Sequence, residues 1–253
     1  MVEWCWREQN VFLNIFLTRG KLLGMEREIA MTTAHAVQVS VLRWAPPIVH
    51  GLVRDLRVRW ALEEAGWPYR EHVVSREDQA SASYRELQPF GQVPAFRSDE
   101  LTLFESGAIV HHIAERSPAL MPQEPASRSQ VTAWMFGALN SVEPPIMMFN
   151  ILDMVYQGPK GADVQALSTW IVGWVESRLV ALVHVLEGKE YVLGRFTAAD
   201  VLLTTVLRIL RDTDFVTKRP PLDAYQRRCE ARPAFRKALE DHLANFAKHA
   251  PSA

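Results

Sequence analysis

Apolar and polar residues fall into register from Val37 onward. Val37, Val39 and Val41 alternate with Gln38 and Ser40, the period of a half-buried strand, and the pair Pro46-Pro47 closes the run. From Leu52 to Glu64 the spacing changes to three and four. Val53, Leu56, Val58, Trp60, Ala61 and Leu62 predict a helix there, stopped by Gly66 with Pro68 just beyond. Tyr69 to Val74 reads as a second strand, so this passage predicts a parallel, right-handed βαβ unit. Asp78 to Leu87 is weakly helical and polar. Pro94 to Phe96 and Leu101 to Phe104 are short strands about a turn at Ser98-Asp99-Glu100, spaced for an antiparallel hairpin. Ser106 to Glu115 is again helical, with Ile109, Val110 and Ile113 inward. The predicted order is β-α-β-α-β-β-α.

Ser117 to Ser127 carries Pro118, Pro122 and Pro125 and reads as a linker. No strand pattern follows it. Arg128 to Tyr156, Val164 to Leu186, Ala198 to Arg211, Leu222 to Ala231 and Ala234 to Ala247 all have helical spacing, which predicts a bundle, and Pro144-Pro145 is expected to kink or break the first of them. Residues 1–35 carry Trp4, Trp6, Phe12 and Phe16 without turn chemistry or a partner strand. They read as a poorly ordered extension, with residues 1–30 dispensable for the fold; the alternative is a short amphipathic helix through Phe12, Ile15 and Phe16. The chain thus divides into an extension (1–35), a first domain (36–116), a linker (117–126) and an all-helical domain (127–250).

Composition narrows the function classes. Of 253 residues 48% are hydrophobic and 23% charged, enough for a core without a metal or disulfide staple. The balance of 28 Lys+Arg against 29 Asp+Glu gives no basic field for nucleic acid, so a small neutral or amphoteric ligand is expected. Cys5 and Cys229 are far apart in sequence, which argues against a disulfide framework, a thiolate metal site and a dithiol pair, and points to the reducing cytoplasm. The longest apolar run, Val11 to Leu17, is seven residues interrupted by Asn14, so neither a membrane span nor an export signal is predicted.

Four stretches carry a resemblance. They are Arg57 to Gly66 (RVRWALEEAG), Gly91 to Phe96 (GQVPAF), Leu103 to Ile109 (LFESGAI) and Thr197 to Asp200 (TAAD). In this order and spacing the chain resembles the cytosolic glutathione transferases over roughly residues 37–250. The resemblance implies an α+β, thioredoxin-like N-terminal domain followed by an all-α helical-bundle domain. It also implies glutathione as co-substrate, a small hydrophobic electrophile as its acceptor, no metal, and a homodimer. A glutathione-dependent peroxidase or disulfide reductase, or a non-catalytic binding module, are the alternatives.

The same resemblance assigns residues. Pro94 is expected to follow a cis peptide bond, and the Val93 N–H and C=O to pair with an extended peptide as an added strand would. Ser106 is expected to cap its helix and hold the γ-glutamyl carboxylate of glutathione, Glu105 to take the α-ammonium, and Gln92 to bond the peptide backbone or glycine end. Thr197 and Asp200 form an expected capping box. One part of the pattern is missing: Arg43 to Gly66 contains no Ser, Thr, Tyr or Cys to activate a thiol, and the usual positions fall on Leu52, Arg54 or Asp55. Arg54 at the start of the predicted helix, with His50 as a second donor, is therefore the candidate thiolate partner, while Asp55 is expected to pair with Arg59. Trp44, Trp134 and Asn140 are the expected substrate pocket, with Ile48, Met135, Phe136 and Phe149 as further walls.

Overall fold

The computed structural model describes residues 37–156 and 161–251; the expectations for residues 1–35 lie outside it. Strand β1 (Val37–Leu42) is central in a four-stranded sheet of order β2-β1-β3-β4, and its alternation has the predicted sense, with Val39 and Val41 fully buried. Strand β2 (Tyr69–Val74) runs parallel to β1 on one side; β3 (Ala95–Arg97) and β4 (Thr102–Phe104) complete the sheet antiparallel on the other. Between β1 and β2 lies α1 (Asp55–Ala65), ended by Gly66 at φ 67°, a left-handed turn whose N–H reaches the Glu63 and Leu62 carbonyls. This helix begins three residues later than its apolar spacing predicts. The preceding carbonyls explain why: those of Ile48 and His50 accept from Arg211 and that of Gly51 from Arg208, which holds the segment as a turn.

The weak helix after β2 is two pieces, α2 (Arg76–Ala80) and α3 (Ala82–Leu87). Ser81 divides them, donating its hydroxyl to the Asp78 carbonyl and accepting the Tyr84 N–H. Helix α4 (Ser106–Glu115) follows β4 directly.

Helices make up the remainder of the described residues: α5 (Pro125–Gly137), a π turn (Ala138–Val142), α6 (Glu143–Val155), α7 (Ala162–Leu186), α8 (Ala198–Leu207), α9 (Pro220–Glu230) and α10 (Pro233–Lys248). The proline-rich stretch before them is tighter than a linker. Leu120 and Met121 are buried, the Leu120 carbonyl accepts the Ala198 N–H, and Pro125 starts α5 behind Glu124, whose carboxylate caps the Ala126 and Ser127 N–H groups. Pro144 and Pro145 break the predicted long helix in a particular way. They occupy the first turn of α6, where no N–H is needed, and Glu143 N–H reaches back five residues to Ala138. The Ser141 carbonyl, which Pro145 has no N–H to satisfy, accepts instead from Arg178 Nε at 3.2 Å.

Helix α7 spans 25 residues and is long and apolar enough, by length and composition, to cross a membrane. Counting uninterrupted apolar runs misses it because Ser168, Thr169, Glu176, Ser177 and Arg178 punctuate it. Ile171, Val175, Leu179, Leu182 and Leu186 turn one face of it into the bundle.

One core runs through both halves, and α1 is at its centre. Helix α1 packs on α4, α8 and α10 as well as the sheet, so that Asp55 through Leu62 are all buried. Trp60 meets Phe235 edge-on with centroids 4.9 Å apart. Every residue of α8 is buried too, and its start is organised by Asp200, whose carboxylate accepts the Thr197 N–H (2.9 Å), the Thr197 hydroxyl (3.2 Å), the Val192 N–H (3.3 Å) and the Tyr225 hydroxyl (3.0 Å). Thr197 and Asp200 thus form the expected reciprocal capping box, the Thr197 side chain facing the Asp200 N–H and the Asp200 carboxylate accepting the Thr197 N–H. Because four donors lose their acceptor together, Asp200→Ala is expected to destabilise the fold by about 3 kcal/mol or more. Urea unfolding of the variant at neutral pH checks this, and a loss under 1 kcal/mol would assign Asp200 no organising role.

Candidate active site

The register of β3 with β4 pairs Ala95 with Phe104, so the next residues, Pro94 and Glu105, come side by side at the sheet end. The Val93-Pro94 bond is cis. Among the described residues nothing bonds the Val93 N–H or C=O, while its neighbours are tied down on both sides. Ser40 Oγ accepts the Ala95 N–H at 2.6 Å, and Tyr84 donates its hydroxyl to the Gln92 carbonyl at 2.7 Å. Ser40 and Tyr84 lie 2.7 Å apart, which leaves Ser40 as the donor between them. Burial pushes the Tyr84 phenol up, so it stays a donor. This network presents one free backbone donor and acceptor on a fixed frame.

Glu105 turns β4 straight into α4 with φ 68° and ψ 114°, a left-handed conformation that strains a non-glycine residue by roughly 1–3 kcal/mol. Glu105 is thus the N-cap, and Ser106, expected in that role, is the first helical residue. Its consequence for an anion is preserved. The first N–H groups of a helix have no intrahelical acceptor, and the Ser106 hydroxyl stands among them. Arg57 Nη1 donates to Ser106 Oγ at 3.3 Å, which leaves the serine proton free to point at a ligand.

Sequence reasoning passed over Arg57. It is 4% exposed, and its other nitrogens donate to Thr205 Oγ1 (3.1 Å) and approach Glu143 Oε1 (3.1 Å). A detectable signal existed: Arg57 sits four residues from both Val53 and Ala61, on a stripe that is otherwise apolar. Glu143 also accepts from Arg54 Nη2 at 2.9 Å. Burial alone would push the Glu143 carboxyl up, but Arg57 and then Arg54 outweigh it and hold it below its ordinary 4.5.

Two expectations about catalysis need correction. The first turn of α1 is not an open anion site, because the Leu56 and Arg57 N–H groups bond the Val53 and Arg54 carbonyls, and buried Asp55 already places a carboxylate there. His50 is turned away: its Nε2–H donates to the Ala45 carbonyl at 2.8 Å and its ring stacks on Phe246. Arg54 keeps its position at the head of α1, with a side chain 43% exposed. Asp55 pairs with Arg59 at 2.8 Å and with His242 Nδ1 at 3.1 Å, and the other His242 nitrogen accepts the Gly51 N–H. The Nδ1 nitrogen therefore carries the proton that faces Asp55.

The expected substrate pocket divides. Trp44 and Ile48 line a cavity of about 920 Å³ between the β1–α1 and β2–α2 connections. Trp134 lines a separate groove of about 310 Å³ between α5 and α7 with Arg178 and Val185. Asn140 is exposed on the π turn and borders neither. Met135 is plain core, Phe136 points to solvent, and Phe149 packs edge-on against Phe215. Trp134, Met135 and Phe136 separate because they are consecutive on α5, each about 100° round the helix from the last, so they cannot share one wall.

The fold and this site define a glutathione transferase architecture. Residues 49–115 match the family model described as Glutathione S-transferase, N-terminal domain. A glutathione S-transferase of Hyoscyamus muticus is 30% identical over 169 residues, covering 61% of this chain and 76% of that protein. Glutathione S-transferase 3 of Schizosaccharomyces pombe is 28% identical over 209 residues, 74% of this chain and 83% of that protein. Among solved structures, a glutathione transferase family member from Pseudomonas fluorescens with two glutathione bound superposes with a TM-score of 0.71 at 25% identity, over 82% of this chain and 94% of that one. The chain belongs to the glutathione S-transferase family.

The Glu143 pairing has a signed consequence. A carboxyl held low in the folded state adds stability above its unfolded pKa and loses it as pH falls through the folded value. Wild type is therefore expected to exceed Glu143→Gln in stability at pH 7 and to lose that margin below about pH 4. Urea midpoints at both pH values test it; a margin independent of pH would mean the carboxylate charge is not what binds the two halves.

Proposed function

We propose that the chain binds glutathione along the free backbone of Val93 and joins its sulfur to the carbon of a hydrophobic electrophile. The observation that carries this is the Val93 edge standing beside a helix start whose serine hydroxyl is freed by Arg57. An extended peptide supplies a C=O and N–H to Val93, and its γ-glutamyl carboxylate is met by the Ser106 hydroxyl and the α4 terminus, with Glu105 taking the α-ammonium. Gln92, with its carbonyl held by Tyr84, leaves its exposed side chain to the glycine end. The glutathione-bound relative supports the same ligand.

In the transfer, the thiol proton passes to water, the thiolate attacks carbon, a C–S bond forms and the leaving group departs with its electron pair. Arg54 is the residue placed to favour the thiolate, since the turn before α1 offers no hydroxyl. The same reading carries a homodimer acting in the cytoplasm.

Ser106→Ala is expected to weaken glutathione binding about ten- to a hundredfold, measured by calorimetry; unchanged affinity refutes the assignment. Ultraviolet titration of the bound thiol separates enzyme from binder. The pKa is expected below that of free glutathione in wild type and to rise in Arg54→Ala. A wild-type value equal to free glutathione would leave a binding protein without thiol activation.

A further inference from the structure

The cavity beside Trp44 opens at the carboxyl ends of the parallel strands β1 and β2, the edge at which open α/β sheets bind ligands. It runs from Gly91, two residues before the Val93 edge, to Trp44, Ile48 and Met154, so it passes alongside a peptide seated on Val93. Its walls are of two kinds. Trp44, 37% exposed, Ile48 and Met154 give it apolar surface suited to a ring or alkyl chain. Arg43, Arg76 and Arg85 also line it, three guanidinium groups against the one lining carboxylate of Glu77.

That excess is local, because the whole chain has a net charge of −1. Asp78, beside Glu77, also faces Arg43, but its carboxylate is engaged with the Ser75 N–H at the start of α2. Arg85 donates to the Pro89 carbonyl and lies across Gly91, where a Cβ would meet its Nη2 at 3.4 Å. Among the described residues, neither Arg43 nor Arg76 has a carboxylate within ion-pair distance. His249, the remaining basic lining group, donates Nδ1–H to the Asn245 carbonyl. A concave site with low-dielectric walls focuses such a charge and selects ligands of opposite sign.

We infer that this cavity takes an amphiphilic anion: the preferred electrophile is an aromatic or alkyl compound bearing a carboxylate or an equivalent acid group. The inference rests on the glutathione reading above and adds the class of the second substrate. The ring lies on Trp44 and Ile48, and the acid group is met by Arg43 and Arg76 at the mouth.

Calorimetry with two stable conjugates tests this without depending on turnover: S-(4-carboxybenzyl)glutathione and its neutral counterpart S-(4-carbamoylbenzyl)glutathione, beside glutathione itself. The carboxylate conjugate is expected to bind about tenfold tighter than the carboxamide. In the double variant Arg43→Gln, Arg76→Gln that preference is expected to vanish, with glutathione affinity unchanged within about twofold. Equal binding of the two conjugates by wild type overturns the inference and leaves the glutathione site standing. A double variant that loses glutathione and both conjugates in parallel also overturns it, because the arginines would then hold the glycine carboxylate of glutathione. Failure of wild type to bind glutathione or either conjugate overturns the glutathione reading and the inference with it. Unfolding midpoints of the double variant matching wild type establish that it is folded.

Discussion

Everything in this structure depends on burying α1 on all sides while it carries Asp55, Arg57 and Arg59. A buried charge without a partner is unfavourable by several kcal/mol, so each must be met, and the sheet supplies too few polar groups to do it. The partners come from distant chain: Glu143 and Thr205 for Arg57, His242 for Asp55, and Glu71 for Arg59. Three of these four lie in the helical half. The two halves are therefore held in register by the electrostatic needs of a single helix, and apolar contacts such as Trp60 against Phe235 fill the space between.

The same arrangement fixes the loop on which the proposed thiol chemistry depends. Between Leu42 and Asp55 the backbone has little secondary structure of its own, yet Asn245, Arg211, Arg208 and His242 each bond one or two of its peptide groups. A loop so tied loses few alternatives when a ligand arrives, which is what preorganisation means in energetic terms. The C-terminal helices thus shape the candidate site without lining its peptide-binding edge. A change at His242 would act on Gly51 and Asp55 together.

How much of this was legible in the sequence follows from the range of each interaction. Strand alternation at Val37–Val41, the glycine stop at Gly66 and the spacing of α7 through α10 are local or one-face properties, and the elements fall where those patterns put them within a few residues. The cis Val93-Pro94 bond and the Glu105-Ser106 turn were legible through family resemblance, since no periodicity marks them. What stayed hidden was pairing over long separations: Arg57 with Glu143, Gly51 with His242, Arg178 with the Ser141 carbonyl. A guanidinium on an apolar stripe announces that it needs a partner and does not say which. The split of Trp44 from Trp134 is likewise a matter of how two distant elements dock, since the two line different cavities.

On the proposed function, the missing hydroxyl has an electrostatic counterpart in the same place. Glu143 stands between Arg54 and Arg57, one carboxylate against two guanidinium groups, so the head of α1 retains about one positive charge. Asp55 does not cancel it, because Arg59 and the proton on His242 Nδ1 already engage that carboxylate from the other side. A unit charge about 5 Å from a thiolate at an effective dielectric of about 20 is worth roughly 3 kcal/mol, near two pKa units. The exposure of Arg54 lets water and salt reduce that, so about one unit is the reasonable share for this guanidinium. A hydroxyl donor acts over one hydrogen bond and demands exact placement of the sulfur; a charge acts over several ångströms and does not. A site built on the second would tolerate variation in where the sulfur sits, and with it variation in the group the sulfur attacks.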